Sequence, residues 1–175
     1  MLEFTNDPIE IDQLPKYQDI KLNTPHPDYW KVIVICIFIF FLLCGIGLTA
    51  LIFLNEQIKP YYMYIISAFI LIIVLVLLLY RASFKKRGFV LREKDIIYKS
   101  GIIAETTSII PLNRIQHVAL NEGMLSRMYG LAMLQIYTAG SSGHMNIAGI
   151  PIDQAKSIKE ALLKKLDLLA HSIIE

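Results

Sequence analysis

Two uninterrupted apolar runs, Val32–Leu54 and Tyr61–Tyr80, constrain this chain more than any other feature. Neither contains an Asp, Glu, Lys or Arg, and only the short link from Asn55 to Pro60 separates them. At the rise of an α-helix, about twenty residues cross the hydrocarbon core of a bilayer, so each run is long enough. In lipid a helix satisfies its own backbone groups, and the runs are therefore read as two transmembrane helices, 32–54 and 61–80. A pair of buried helices in a soluble core is the alternative. It is set aside because 175 residues provide no shell large enough to enclose them.

The link is too short for anything but an antiparallel hairpin, so both chain ends share one side. Tyr29, Trp30 and Lys31 mark one interface, and Tyr61, Tyr62 and Tyr64 mark the other. Lys59 is the only cation in the link, whereas Lys31, Arg81, Lys85, Lys86 and Arg87 flank the opposite side. The positive-inside bias then predicts a cell-membrane protein with both termini cytoplasmic. The first run starts behind an acidic segment and no small-residue cleavage pattern follows it, so it is expected to be retained. Cys44, Gly45, Gly47 and Ala50 face the possibility of close packing with Ser67 and Ala68. Cys36 and Cys44 lie about 12 Å apart along one helix, too far for a disulfide.

Charge divides the rest. Residues 1–30 carry a net of −4 and residues 81–175 a net of +5. The segment 1–28 holds Pro8, Pro15, Pro25 and Pro27 with no sustained apolar period, and reads as extended or disordered, with a short amphipathic patch at Ile9–Leu14. The hairpin takes 29–81. From Phe84 onward the pattern becomes some seven short strands within 87–150, followed by an amphipathic helix over 152–171. Strands are expected at Gly88–Arg92, Asp95–Ser100, Ile102–Ile110 (one or two), Ile115–Asn121, Leu131–Thr138 and Met145–Ile150. Pro111 to Arg114 is a turn, Met124–Tyr129 a single helical turn ended by Gly130, and Gly140 to Gly143 a hairpin loop. The last helix opens at Asp153 and sets Ala155, Ile158, Leu162, Leu166, Leu169 and Ile173 on one stripe, with Glu160 and Lys164 as an i,i+4 pair. Some seven strands and one covering helix make a small sandwich or barrel, domain 82–175.

Three stretches carry a resemblance. Ile110 to Val118, Leu125 to Ala132 and Tyr137 to Gly140 resemble the bacterial pleckstrin-homology (PH) domain family, long treated as a domain of unknown function and usually found behind a two-helix hairpin. The resemblance spans residues 29–170. It implies a membrane protein with an α-helical transmembrane hairpin followed by an all-β PH-like sandwich or barrel with a C-terminal capping helix. It also implies frequent self-assembly through the β-domain, and it brings no catalytic residues.

The residues themselves point away from catalysis. His26, His117, His144 and His171 are scattered, and no nucleophile stands beside a base at a useful spacing. No metal or cofactor motif occurs, so no cofactor is expected. Ion paths need ionisable groups at membrane depth, and the two runs contain none. Lys85, Lys86 and Arg87 serve as the topology signal or as contacts to anionic headgroups, the first being favoured. Arg114 and Arg127 either hold an anion or fix turns through backbone carbonyls or an acid such as Glu105 or Glu122, the second being favoured. Eukaryotic PH domains that bind phosphoinositides carry a basic first hairpin. Here Lys86, Arg92 and Lys94 are diluted by Glu93 and Asp95, so that activity is not transferred. No basic stripe with interleaved aromatics suggests nucleic acid. The expected function is a membrane-anchored interaction module that binds a membrane protein partner or itself, as a homo-oligomer, through exposed strand edges. The alternatives are a lipid-binding or lipid-processing protein and an accessory subunit of a transport system.

Overall fold

The computed structural model describes residues 20–102, 104–138 and 144–171. The Ile9–Leu14 patch, most of the acidic segment, the loop Gly140 to Gly143 and Ile173 lie outside the described residues.

Helix α1 runs Asp28–Leu54 and α2 Tyr62–Lys86, with a short 3-10 turn at Lys59–Tyr61 between them. Both exceed the apolar runs. α1 begins directly after Pro27, and α2 continues six residues beyond Tyr80. Hydropathy marks where lipid contact stops, but a helix stops where its backbone turns. That happens at Arg87, which is extended at φ −76° and ψ 137°. Phe84, Lys85 and Lys86, expected at the edge of the β-domain, therefore belong to the helix. Trp30 meets Phe84 at 5.9 Å between ring centroids and Phe41 meets Phe69 at 5.6 Å, so the helices are antiparallel.

Close approach through small residues is only partly realised. Gly45 lies under the Phe69 ring, but Gly47 has open space where a side chain would be. An apolar cleft of about 1060 Å³ lies along the hairpin between residues such as Ile37, Leu48, Ile66 and Ile73. Phe38, Phe40, Leu43, Leu71 and Leu78 point outward and are exposed. Helices that leave this much apolar surface uncovered are not the core of a soluble domain; they have the length and composition of membrane spans.

The β-domain has six strands among the described residues: β1 Gly88–Leu91, β2 Asp95–Ser100, β3 Thr106–Pro111, β4 Ile115–Asn121, β5 Leu131–Thr138 and β6 His144–Pro151. They form two three-stranded antiparallel sheets, β1-β2-β3 and β4-β5-β6. Among the described residues Ile102–Ile110 yields one strand, β3, so they hold six strands where some seven were expected. Gly101 turns the chain at φ 126°, where an added Cβ would lie 2.0 Å from the Ala104 carbonyl oxygen. A 3-10 turn at Leu112–Arg114 passes the chain from one sheet to the other, and α3, Met124–Met128, precedes β5.

Alternation places one face of each strand inside. Phe89 and Ile96 from one sheet meet Val118, Leu134, Ile136, Met145 and Ile147 from the other. Helix α4, Ile152–His171, closes the open side with Ala155 and Leu162, both fully buried. Ile158 and Leu166 flank them, as the stripe requires. The Glu160–Lys164 pair does not form. Lys165 instead donates to the carbonyl oxygens of Arg92 and Glu93 at 3.3 and 3.2 Å, tying the helix to the first hairpin. An exposed i,i+4 pair has too little to gain to hold two long side chains in place.

The residues before α1 are not free of the domain. Asn23 exchanges backbone hydrogen bonds with Phe89 at 2.8 and 2.9 Å, and the His26 N–H donates to the Gly149 carbonyl at 2.8 Å. The chain thus crosses from the outer edge of β1 to that of β6 before entering α1.

Candidate functional site

Where the hairpin meets the β-domain, a cleft opens between the sheets. Its hairpin end, about 620 Å³, is lined by Tyr29, Ser83, Arg87, Tyr98, Ser100, Met133 and Asn146. Its far end, about 520 Å³, is lined by Ser108, Ile109, Arg114, Thr138 and His144, and shares Tyr98, Ser100 and Asn146 with the first. The cleft follows from topology. β3 ends one sheet and β6 ends the other, and no ladder joins them.

Each lining group is placed by a local cause. Ser83 and Arg87 are one turn apart at the end of α2, and the Arg87 Nη2 donates to Ser83 Oγ at 3.4 Å. Ser83 is the buried polar residue of the described chain. Tyr29 leans on β6. Gly149, at φ 81°, leaves its ring room: a Cβ there would lie 2.7 Å from Tyr29 Cγ and Cδ1. Tyr98 and Ser100 alternate on β2 toward the cleft. Burial pushes the Tyr98 phenol above its ordinary value, and the positive charge of Arg87 opposes that shift. Asn146 Oδ1 is buried and has no hydrogen-bond partner.

The basic residues singled out from sequence do not form one cluster. Arg81 stacks over the Trp30 ring at 4.9 Å. Lys85 is exposed. Lys86 pairs with Glu105 at 3.1 Å, and Lys99 holds the other oxygen of that carboxylate at 2.7 Å. The two lysines draw the Glu105 carboxyl below its ordinary value, Lys99 contributing most. Arg87 alone of the juxtamembrane run enters the cleft, and it makes no ion pair with a described carboxylate. Arg114 lines the other end, on the 3-10 turn, rather than pairing with Glu105 or Glu122. Arg127 stands apart on α3, its side chain 78% exposed and its Nε 4.0 Å from Glu122. Arg92 is held through both oxygens of Asp95 across the tight β1–β2 turn, so the first hairpin offers no free arginine.

Sequence reasoning did not find the pairing of His117 and His144. They sit on β4 and β6 in one row with Tyr137 of β5 between them. The His117 ring stacks on Tyr137 at 4.1 Å, and Tyr137 lies 5.9 Å from His144. The signal was the period-two alternation, but the row also depends on bulges in both ladders, which sequence does not reveal.

A hairpin of two membrane-length helices, two three-stranded sheets and a capping helix define a membrane-associated protein with a PH-like module. Residues 32–166 match the family described as bacterial PH domain, and the chain belongs to that family. It is similar to the UPF0699 transmembrane protein YdbS of Bacillus subtilis (strain 168), with 29% identity over 90 residues, 51% of this chain and 55% of that one. The chain thus spans about half the length of that curated relative. No solved structure matches it.

Proposed function

We propose that this protein is a membrane-anchored interaction module. Its hairpin crosses the cell membrane twice, and both chain ends and the PH-like domain lie on the cytoplasmic side. The domain docks an extended segment of a protein partner, or of a second copy of the chain, along β3. The observation that carries this is the open β3 edge. β1 is bridged by Asn23, β6 accepts from His26, and α4 packs against β4, but no described segment covers β3. Ile109 on that strand is 44% exposed, and the cleft beside it has room for side chains of an added strand. The non-catalytic reading is supported by membership of the family.

A photo-crosslinking residue at Ile109 in the full chain, illuminated in native membranes, tests the docking edge. One discrete adduct is expected, at twice the chain's mass for self-association or at another fixed mass for a partner. It should vanish with Thr107→Pro, because the N–H of that residue points away from β2 to the open edge and its loss spoils strand addition. No adduct, or the same adduct from a crosslinker at Met128 on α3, would refute it. Orientation is tested separately in a Cys36→Ala, Cys44→Ala background. A membrane-impermeant maleimide added to intact cells should label Gln57→Cys and spare Lys156→Cys; the reverse pattern overturns the topology.

A further inference from the structure

The hairpin end of the cleft has features that strand docking does not use. Arg87 is half-buried there, carries a permanent charge, and is met among the described residues by hydroxyl groups, those of Ser83 and Tyr29, and by no carboxylate. Tyr29, Tyr98 and Ser100 add hydroxyl groups to the same wall. Asn146 Oδ1 is buried and unpartnered on the opposite wall. A half-buried guanidinium without a carboxylate and a buried acceptor without a donor are both costly when empty. Together they call for a ligand that brings an anion to one side and a hydroxyl to the other.

We propose that this end of the cleft binds a hydroxyl-bearing phosphate ester, the phosphate on Arg87 and the hydroxyl donating to Asn146 Oδ1. The guanidinium fork matches phosphate oxygens, and the Tyr98 and Ser100 hydroxyls complete their coordination. The cleft is of the size usual for small-ligand sites. Its position selects the source. Tyr29 opens α1 and Ser83 closes α2, so the cleft sits at the foot of the two membrane helices, within reach of a glycerol-phosphate headgroup. A soluble phosphate ester would satisfy the same groups. The two ends of the cleft share Tyr98, Ser100 and Asn146, but Arg87 lines only this one, so loss of binding in Arg87→Gln and loss of the β3 adduct are separate outcomes.

Native mass spectrometry of the full chain in a neutral detergent tests the site. Short-chain phosphatidylglycerol, short-chain phosphatidylcholine, glycerol phosphate and inorganic phosphate are the probes. Phosphatidylglycerol should bind as a single saturable adduct, and Arg87→Gln should weaken it at least tenfold, while Lys85→Gln should not. Stronger binding of phosphatidylglycerol than of glycerol phosphate assigns a lipid headgroup; the reverse assigns a soluble ester. Arg87→Gln also removes the Ser83 contact, so two further variants guard against misfolding. Arg87→Lys keeps the charge and should retain most of the binding. Asn146→Leu breaks no internal hydrogen bond of Oδ1, and should weaken both hydroxyl-bearing ligands several-fold while leaving inorganic phosphate unchanged. Equal adducts from phosphatidylcholine, or an adduct indifferent to Arg87→Gln, would overturn the proposal.

Discussion

Gly149 is the point where hairpin and β-domain are most tightly fitted, and Gly149→Ala measures that fit. Two costs add. The residue sits at φ 81°, a conformation that costs a side-chain-bearing residue about 1–3 kcal/mol. The new methyl carbon would also stand 2.7 Å from two Tyr29 ring atoms and 2.9 Å from Tyr29 Cβ, so the ring or the strand must move. Overpacking of this kind costs about 1–3 kcal/mol. The lower entropy of the unfolded alanine chain offsets about 0.4–1 kcal/mol. A net destabilisation of about 2–4 kcal/mol is expected. Tyr29→Ala separates the parts. Without the ring, Gly149→Ala should keep the backbone strain and the 2.9 Å approach to the Cβ of residue 29 but lose both ring contacts, and the cycle should show a coupling of about 1–3 kcal/mol. The assay is urea unfolding of the full chain at fixed detergent concentration, followed by circular dichroism in the sheet region. Equal costs of Gly149→Ala in both backgrounds would refute the steric argument, and no cost in either would refute the strain argument as well.

Leu162 is fully buried under the two sheets, and Leu162→Ala should destabilise the domain by about 2–5 kcal/mol in the same urea assay. A loss under 1 kcal/mol would mean that α4 does not cap the core. Glu105 gives a pH signature. Its carboxyl lies below the ordinary value of 4.5 because Lys99 and then Lys86 hold the charged form. A depressed carboxylate contributes stability above its unfolded value, and that contribution is lost as pH falls through the lower folded value. The stability gap between wild type and Glu105→Gln should therefore be full at neutral pH, close on acidification below 4.5, and shrink in high salt. A gap that persists unchanged in acid would show that the two lysine contacts are not what holds β2, β3 and α2 together.

The parts of the fold that were legible in sequence have strong local periods. The two helices announced themselves through uncharged length, and the α4 stripe through Ala155, Ile158 and Leu162 at helical spacing. β4 and β5 followed from alternation, down to Leu134 and Ile136 inside. What escaped was set by tertiary partners. Asn23 has no strand signal; it pairs because Phe89 presents an open edge. Tyr29 and Trp30 read alike as interface aromatics, yet only the absence of a side chain at Gly149 gives Tyr29 a place on β6. The end of α2 was misplaced because hydropathy ends at Tyr80, whereas helix-compatible residues continue to Lys86. Asn146 carried no signal at all, since an orphaned acceptor is a property of surroundings.

The run Arg81, Lys85, Lys86 and Arg87 shows why a charged stretch is a poor guide to a site. In sequence it is one cluster, read as a topology signal or as contacts to anionic headgroups. A helix turns about 100° per residue, so four cations within seven positions leave in different directions. Arg81 is aimed across the hairpin at Trp30 and Lys86 at Glu105 of the β-domain, while Arg87, where the helix ends, is carried into the cleft. Two of the four are thus consumed in joining the hairpin to itself and to the sheet. That joining is what fixes the remaining arginine relative to Asn146 and Tyr98. A flexible tether between membrane and domain would leave the cleft facing anywhere. A helix that runs unbroken from the apolar span to Lys86, with Tyr29 seated against β6, keeps it at the foot of the hairpin.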